Sequence, residues 1–226
     1  RGGEEGTLVI ADSQTARRGR SGRSWYSPPN LGLYVSVIFR PHIPVNQAFG
    51  LHMVVALAAA EAVDSCRPQG RVGIKWPNDL MAEGRKLAGI LTELGVQGGE
   101  PAWCVVGVGI NVNHSLNDFP AEVRPLATSI RELSLRRIDR VQLLRRLEDG
   151  IGKWNEVFDR DGMEGLVPEW RHRSTVLGRK VRVETPGEVI VGEVTGLAPD
   201  GALIVMQENG SESAIHAGDV ELLQFR

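Results

Sequence analysis

The sequence predicts an α+β protein, with a mixed β-sheet flanked by helices and a small C-terminal β-barrel. Strand-like runs and two long helical stripes share the first three quarters of the chain, whereas only short β segments with turn signals follow Gly178. The length of 226 residues fits one medium domain plus a small one. We therefore expect a main domain over residues 1–175 and a second over residues 176–226.

Six short runs with β-branched or alternating apolar residues predict the strands of the main domain. They are Thr7–Ala11, Leu33–Phe39, Gly73–Trp76, Asp79–Ala82, Leu87–Leu94 and Trp103–Val112. The turn residues Glu83-Gly84-Arg85 predict a hairpin between the fourth and fifth runs.

Two longer segments have the spacing of amphipathic helices. Asn46–Cys66 places apolar residues on one face, so this segment should pack on a core. Asp139 can cap a second helix, whose apolar residues step by three or four. These residues are Val141, Leu144, Leu147, Ile151, Trp154 and Phe158.

The last fifty or so residues read as a small antiparallel barrel. Its predicted strands are Val181–Val183, Val189–Thr195 and Ala202–Met206. Pro199-Asp200-Gly201 predicts a tight turn between the last two.

Composition excludes several function classes. The net charge of −2 will not attract nucleic acid to the whole molecule, so any basic site must be local. The longest strongly apolar stretch, Met53–Ala60, is too short to span a membrane. Cys66 and Cys104 lack a CxxC partner and are expected to be buried thiols in a reducing cytoplasm. The five histidines have no ligand spacing, so we expect no structural metal site.

The most unusual segment is a basic loop, Arg17–Trp25. It holds four arginines within seven residues, interleaved with Gly19 and Gly22. Such a loop repels itself unless an anion neutralises it, and the glycines would let backbone amides approach that anion. Phosphate is the obvious candidate, with Trp25 able to cover an aromatic base. On charge alone, a solvated basic loop is the slightly favoured interpretation.

A lone lysine follows in a predicted strand. Because side chains alternate in a strand, Ile74 and Trp76 point one way while Gly73 and Lys75 point the other. Lys75 is thus expected in a partly enclosed space, although a lysine at a sheet edge also deters aggregation.

A third segment, Val105–Val112, has one apolar face, whereas Gly107, Gly109 and Asn111 form the opposite face. Glycines in a strand usually mark a close approach to the backbone. A flat ligand on this glycine floor, held at its edge by Asn111, is one interpretation, and a tightly packed helix is the other.

Together these segments suit the activation of a carboxylate by ATP. Two anions must meet in that reaction, and charge builds on the α-phosphate as pyrophosphate leaves, so fixed cations in a dry site supply what it needs.

Four ordered motifs resemble those of biotin protein ligases, and the resemblance covers nearly the whole chain. The basic loop is similar to their Q-T-x-G-R-G-R-x-G-R-x-W segment, with Arg17 in place of the first loop glycine. The other three motifs are Lys75–Leu80 (KWPNDL), Arg85–Leu91 and Val106–Asn113. Pro120–Leu133 resembles the segment that closes over the adenylate, and the tail resembles the family's SH3-like barrel.

The resemblance implies a biotin/lipoate ligase-like fold, related to the catalytic domains of class II synthetases. It also implies a reaction in two steps. Biotin and Mg-ATP would give biotinyl-5′-AMP and pyrophosphate, and a lysine of a biotin carboxyl carrier protein, such as the acetyl-CoA carboxylase subunit, would then attack the adenylate. ATP with Mg²⁺ and biotin would be substrates, with no tightly bound prosthetic group.

The resemblance also assigns the site, with Lys75 and Arg20 as the catalytic cations. On the biotin side it implies Gln14, Arg18, Gly19, Arg20, Lys75 and Gly89. On the ATP and adenylate side it implies Arg20, Arg23, Trp25, Lys75 and Asn111.

Some family features are expected to be missing. The chain begins at Arg1, so we expect it to start within a longer product and to lack the Ser-Thr-Asn segment that contacts the biotin ureido group. Weaker biotin binding and no DNA binding through a helix-turn-helix are then expected, as is a cytoplasmic protein without membrane contact. Homodimers occur in the family. A lipoate or octanoate ligase, or a non-catalytic nucleotide or RNA binder, remains the alternative.

Overall fold

The computed structural model describes residues 3–16, 19–67 and 70–223. Eleven strands and three helices lie in these residues, together with single 3₁₀ turns at Arg20–Gly22, Val45–Gln47 and Leu116–Asp118. The helices are α1 Phe49–Asp64, α2 Ile130–Ser134 and α3 Arg140–Arg173. The strands are β1 Leu8–Ala11, β2 Gly32–Phe39, β3 Gly73–Lys75, β4 Asp79–Ala82, β5 Arg85–Gln97, β6 Glu100–Asn111, β7 Lys180–Glu184, β8 Val189–Leu197, β9 Leu203–Gln207, β10 Glu212–Ile215 and β11 Asp219–Leu222.

The larger sheet has six strands in the order β1-β2-β6-β5-β4-β3. Every neighbouring pair is antiparallel, and short turns join β3, β4, β5 and β6 in succession. The predicted hairpin at residues 83–85 is confirmed. The sheet is mixed only through two isolated parallel bridges, Ile74 to Ser174 and Lys86 to Ala127.

Helix α1 lies between this sheet and α3. It packs against β5, β6 and α3, so every residue from 50 to 60 is buried rather than one face alone. The stretch Val45–Asp64 is long and apolar enough to cross a membrane by length and composition, but most of it is buried inside the fold.

Helix α3 begins where the sequence predicts. The Asp139 carboxylate accepts hydrogen bonds from the backbone N–H groups of Val141 and Gln142, at 2.8 and 3.3 Å. The prediction that Val141 faces the core is wrong, since it lies in the exposed first turn and the buried stripe begins at Leu143. A non-helical Gly162 with φ 62° kinks the helix.

The C-terminal residues form a second antiparallel sheet in the order β10-β9-β8-β7-β11. This confirms the small all-β unit, although β10 and β11 do not pair within the described residues and the sheet is open. Sequence patterns missed these two strands because each has only four residues, half of them polar or charged.

The two cysteines differ in their surroundings. Cys104 is buried on β6, and burial raises the pKa of its thiol to about 11, so the thiol stays protonated. Cys66 is only half-buried, contrary to expectation, because it lies just beyond the C-terminal end of α1.

The C-terminal sheet is fastened to the strand that carries Lys75. The indole Nε1 of Trp76 donates a buried hydrogen bond of 3.1 Å to the carbonyl of Gly201, in the turn between β8 and β9. Gly201 has φ 84°, and a Cβ there would lie 2.0 Å from the Phe49 ring, so only glycine fits this approach. The backbone N–H of Thr175 also donates to Ile74, at 3.0 Å.

We expect Trp76→Phe to lower the free energy of unfolding by about 1–3 kcal/mol, because the buried Gly201 carbonyl loses its donor. Urea denaturation measures the change. Trp103→Phe is the matched control, since Trp103 is partly exposed and its indole makes no hydrogen bond to a described residue. Equal loss in both variants would contradict a specific contribution from the bond.

Candidate active site

Two adjoining cavities lie between the basic loop and the large sheet, and the C-terminal sheet also lines the larger one. The smaller has a volume of about 190 Å³ and the larger about 480 Å³. Both are lined by Gly19, Arg20, Trp25, Asn78 and Lys86, so these five residues form the boundary between them. A ligand with two parts could therefore occupy both cavities.

Hydrogen bonds hold the basic loop over these cavities. The backbone N–H of Gln14 donates to Ser27 Oγ at 3.0 Å, which ties the base of the loop. The N–H of Gly19 donates to the carbonyl of Arg23 at 2.8 Å, and a Cβ at Gly19 would lie 2.7 Å from that oxygen. Gly19 thus permits a tight backbone turn, and its amide is used inside the loop rather than being free for an anion.

Lys75 lies where strand alternation predicts. Ile74 and Trp76 are buried on the opposite face of β3, while the half-buried Lys75 lines the larger cavity. Its cross-strand neighbour Asp79 bonds instead to Lys86, with Nζ and Oδ1 2.5 Å apart. Lys75 forms no hydrogen bond or ion pair with another described residue. A cation without a counter-ion in a cavity is suited to bind an anionic ligand.

The glycine floor is formed by β5 and β6, where Gly89 and Gly109 are opposite each other. Part of this floor is covered by the basic loop itself. A Cβ at Gly109 would lie 2.8 Å from Trp25 Nε1, and one at Gly89 would lie 3.1 Å from the same ring. The Trp25 indole covers Gly89 and Gly109, so neither a packed helix nor an open surface for a flat ligand is found at these two glycines. The floor around Gly107 lines the smaller cavity.

Asn111 lines the larger cavity near the end of β6. Its side-chain Nδ2 donates to the carbonyl of Thr128 at 3.0 Å, in a buried position. The Asn111 side chain therefore holds the segment around Thr128 against the large sheet.

Three polar atoms at the smaller cavity have no hydrogen-bond partner among the described residues. They are Gln14 Oε1, Arg20 Nε and Trp25 Nε1, all of them buried. Buried polar groups are nearly always satisfied, so three such atoms around one cavity are suited to bind water or a polar ligand.

The C-terminal sheet supplies an acidic partner to the basic loop. Arg20 donates to the Gly218 carbonyl at 2.6 Å and to the Asp219 carboxylate, and Arg23 donates to Asp219 Oδ1 at 2.6 Å. Partial burial raises the pKa of Asp219, but the hydrogen bonds and charges of Arg23 and Arg20 outweigh this and hold the pKa below its usual value. No sequence pattern indicated Asp219, since 196 residues separate it from Arg23.

Lys86 is a second residue without a role in the sequence reasoning. It lines both cavities, and its Nζ lies 5.4 Å from the centre of the Trp25 ring. Its backbone accepts from Thr128 N–H at 2.9 Å and donates to the Leu126 carbonyl at 2.8 Å. Those bonds fix the segment between Phe119 and Ala127, which lines the larger cavity. The sequence signal that could have found Lys86 is its position inside the Arg85–Leu91 motif.

All but one of the predicted site residues line one or both of the two cavities. Those at the larger cavity alone are Arg23, Lys75 and Asn111. Those at the smaller cavity alone are Gln14 and Gly89, and Gly19, Arg20 and Trp25 lie at both. Arg18 lies outside the described residues.

Two histidines near the site are buried and neutral. Burial lowers the pKa of His52 and of His114 to about 4. His114 stacks on Phe119, with ring centroids 4.9 Å apart, and neither of its ring nitrogens has a hydrogen-bond partner among the described residues. His52 Nδ1 lies 3.0 Å from Thr92 Oγ1.

Two family models match the chain. Residues 2–111 match the biotin/lipoate A/B protein ligase family, and residues 176–223 match the biotin protein ligase C-terminal domain. The biotin–[acetyl-CoA-carboxylase] ligase of Mycobacterium tuberculosis is 38% identical over 225 residues, which cover 96% of this chain and 79% of that one. The chain belongs to the biotin protein ligase family.

Other members of the family agree in sequence and structure. The bifunctional ligase/repressor BirA of Bacillus spizizenii is 33% identical over 218 residues, and the match spans 96% of this chain but only 66% of that longer relative. The solved structure of the Aquifex aeolicus biotin protein ligase in complex with biotin and ATP has a TM-score of 0.84 and 29% identity. That superposition covers 100% of this chain and 92% of the Aquifex chain.

We expect the free energy of unfolding to fall as the pH drops from 6.5 towards 4. Well above pH 6.5 both buried histidines are neutral in the folded and in the unfolded chain. As the pH falls through 6.5, the unfolded chain binds protons at histidines that stay neutral in the folded chain. Between pH 7.5 and 5 each histidine should cost about 2 kcal/mol.

His114→Phe should reduce this pH dependence by about 2 kcal/mol, because it removes one of the two groups. Urea denaturation at pH 7.5 and 5 measures the difference, with the exposed His42→Gln as control. If His114→Phe kept the full pH dependence, the neutral state assigned to His114 would be incorrect.

Proposed function

We propose that this chain is an ATP-dependent biotin protein ligase that acts on a biotin carboxyl carrier protein. Biotin and ATP would react to biotinyl-5′-AMP and pyrophosphate, and the biotinyl group would pass to a lysine of the carrier. Membership of the family supports this reaction, as does the similarity to a ligase that acts on acetyl-CoA carboxylase.

One observation carries the proposal. Lys75, Arg20 and Arg23 come from separate parts of the sequence and line a single cavity. Arg20 also lines the smaller cavity, where buried polar atoms lack partners. An acyl group in the smaller cavity and a nucleotide in the larger one would therefore meet beside Arg20.

In the first step, a carboxylate oxygen of biotin attacks the α-phosphorus of ATP, and the bond to the β-phosphate oxygen breaks. The Lys75 ammonium would bind the carboxylate and α-phosphate, offsetting the repulsion between the two anions. Arg20 would bind beside Lys75, and Arg23, which is closer to solvent, would bind the departing phosphates. Such fixed charges act most strongly where water is excluded.

In the second step, the carrier lysine attacks the acyl carbon, AMP leaves and the amine loses a proton. The same cations would stabilise the negative charge on the leaving AMP. We propose that Mg²⁺ arrives as the complex with ATP, because phosphate oxygens are ligands that Mg²⁺ prefers. The reducing cytoplasm is the proposed compartment.

Lys75→Ala should reduce biotin-dependent exchange of pyrophosphate into ATP by at least about a hundredfold, because the cation between the reacting anions is lost. The fold should persist, since the Lys75 side chain makes no described polar contact. Lys180→Ala is a matched control: it removes a lysine whose exposed ion pair with Glu208 lies in the C-terminal sheet. Wild-type exchange in Lys75→Ala would overturn the role of this lysine.

Biotin should be activated in strong preference to lipoate or octanoate, because the unpaired polar atoms of the smaller cavity suit a ligand with polar groups. Mass spectrometry of the acyl adenylates formed from each acid with ATP measures the preference. Equal or greater use of octanoate would favour the lipoate and octanoate ligase alternative.

A further inference from the structure

We propose that Asp219 is a competing anion for the phosphate site: its carboxylate pairs with Arg20 and Arg23 in the ATP-free enzyme, and the phosphates of ATP displace it. The inference rests on the proposed function and adds a role for the C-terminal sheet. It makes Asp219 a residue that weakens ATP binding rather than one that supports it.

The geometry around Asp219 resembles that expected for a bound phosphate oxygen. One carboxylate oxygen, Oδ1, accepts from both Arg20 and Arg23. Asp219 and the neighbouring Val220 also line the larger cavity, together with Lys75. The carboxylate therefore occupies a place in the cavity where an anionic ligand would find the same two donors.

The charges around the larger cavity explain why the Asp219 carboxylate lies beside Arg20 and Arg23. Among the described residues, four cations line the larger cavity, namely Arg20, Arg23, Lys75 and Lys86. Asp79 pairs with Lys86, and Asp219 pairs with both arginines and offsets one of their two positive charges. Without Asp219, two guanidinium groups would lie close together with no counter-ion, which is unfavourable until a ligand arrives.

The contact can break without loss of the fold. Asp219 and Arg23 are each more than half exposed, so water can replace the contact at modest cost. The domains stay joined by the Trp76 to Gly201 hydrogen bond, which does not involve the arginines. Arg20 also keeps its bond to the Gly218 carbonyl, so release of the carboxylate need not free the whole loop.

The replacement of the Asp219 carboxylate by the phosphates of ATP would occur and be reversed once per turnover. Entry of the triphosphate would displace the carboxylate, and departure of pyrophosphate would let Asp219 return to the arginines. A returning carboxylate would oppose rebinding of pyrophosphate, and so would oppose reversal of the adenylation step.

Asp219→Asn is the direct test, because it removes the charge and keeps the shape. The KM for ATP and the Ki of inorganic pyrophosphate should each fall by about three- to tenfold, since two partly exposed ion pairs need no longer be broken. The kcat of adenylation should change much less than the KM. Glu221→Gln is the matched control, because it removes an exposed carboxylate from the same strand but outside the cavity.

If Asp219 only positions the arginines, the Asn variant would instead show an unchanged or higher KM for ATP, and that result would overturn the proposal. An equal fall in Glu221→Gln would overturn it too, since a general charge effect would then explain the change. Calorimetric titration of ATP and pyrophosphate into both variants measures binding without any turnover. A wild-type chain that lacks biotin-dependent exchange would instead count against the proposed function, while the titrations still decide the role of Asp219.

Discussion

Mutual repulsion between positive charges is the constraint on which this site depends. Among the described residues, the fold brings four basic side chains to one cavity, and each must find a counter-charge or stay partly hydrated. Two carboxylates from different parts of the chain pair with three of these cations and leave one positive charge unbalanced, while Lys75 has no described ionic partner. The described part of the site therefore holds one unpaired lysine and a pair of arginines whose acidic partner lies on the C-terminal sheet. An arrangement of this kind favours an anionic ligand before any catalytic step is considered.

The antiparallel sheet makes this convergence possible. Alternation along β3 buries Ile74 and Trp76 and leaves Lys75 on the cavity side, while alternation along β6 places its glycines there. Helix α1 packs on β3, β5 and β6, against the face of the sheet opposite the cavities. The basic loop then crosses the glycine surface, and its indole covers the part formed by Gly89 and Gly109.

Local patterns were enough to predict most of the main domain. The strands from β1 to β6, helix α1 and the cap at Asp139 follow from alternation, helical spacing and side-chain capping, all of which act over a few residues. Strand alternation predicted the partly enclosed place of Lys75, and charge repulsion suggested an anion at the basic loop, whereas the choice of Arg20 within that loop came from the resemblance to biotin protein ligases. The roles of Lys75 and Arg20 in the reaction stay predictions.

Features that depend on distant residues could not be predicted in this way. The Trp25 ring on the glycine floor and the Asp219 pair with Arg20 are contacts between segments far apart in sequence. Strands β10 and β11 are too short and polar for periodicity to detect. Val141 follows the helical spacing but faces solvent, because only the tertiary contacts decide where a helix begins to pack.

The long separation between the arginines and their acidic partner has a consequence for biogenesis. Asp219 follows Arg23 by 196 residues, so it leaves the ribosome long after the arginines do. A nascent chain that has already folded its large sheet would display the two guanidinium groups without their acidic partner. Until β11 docks, that pair would be open to cellular polyanions such as RNA, and docking of β11 would end this exposure.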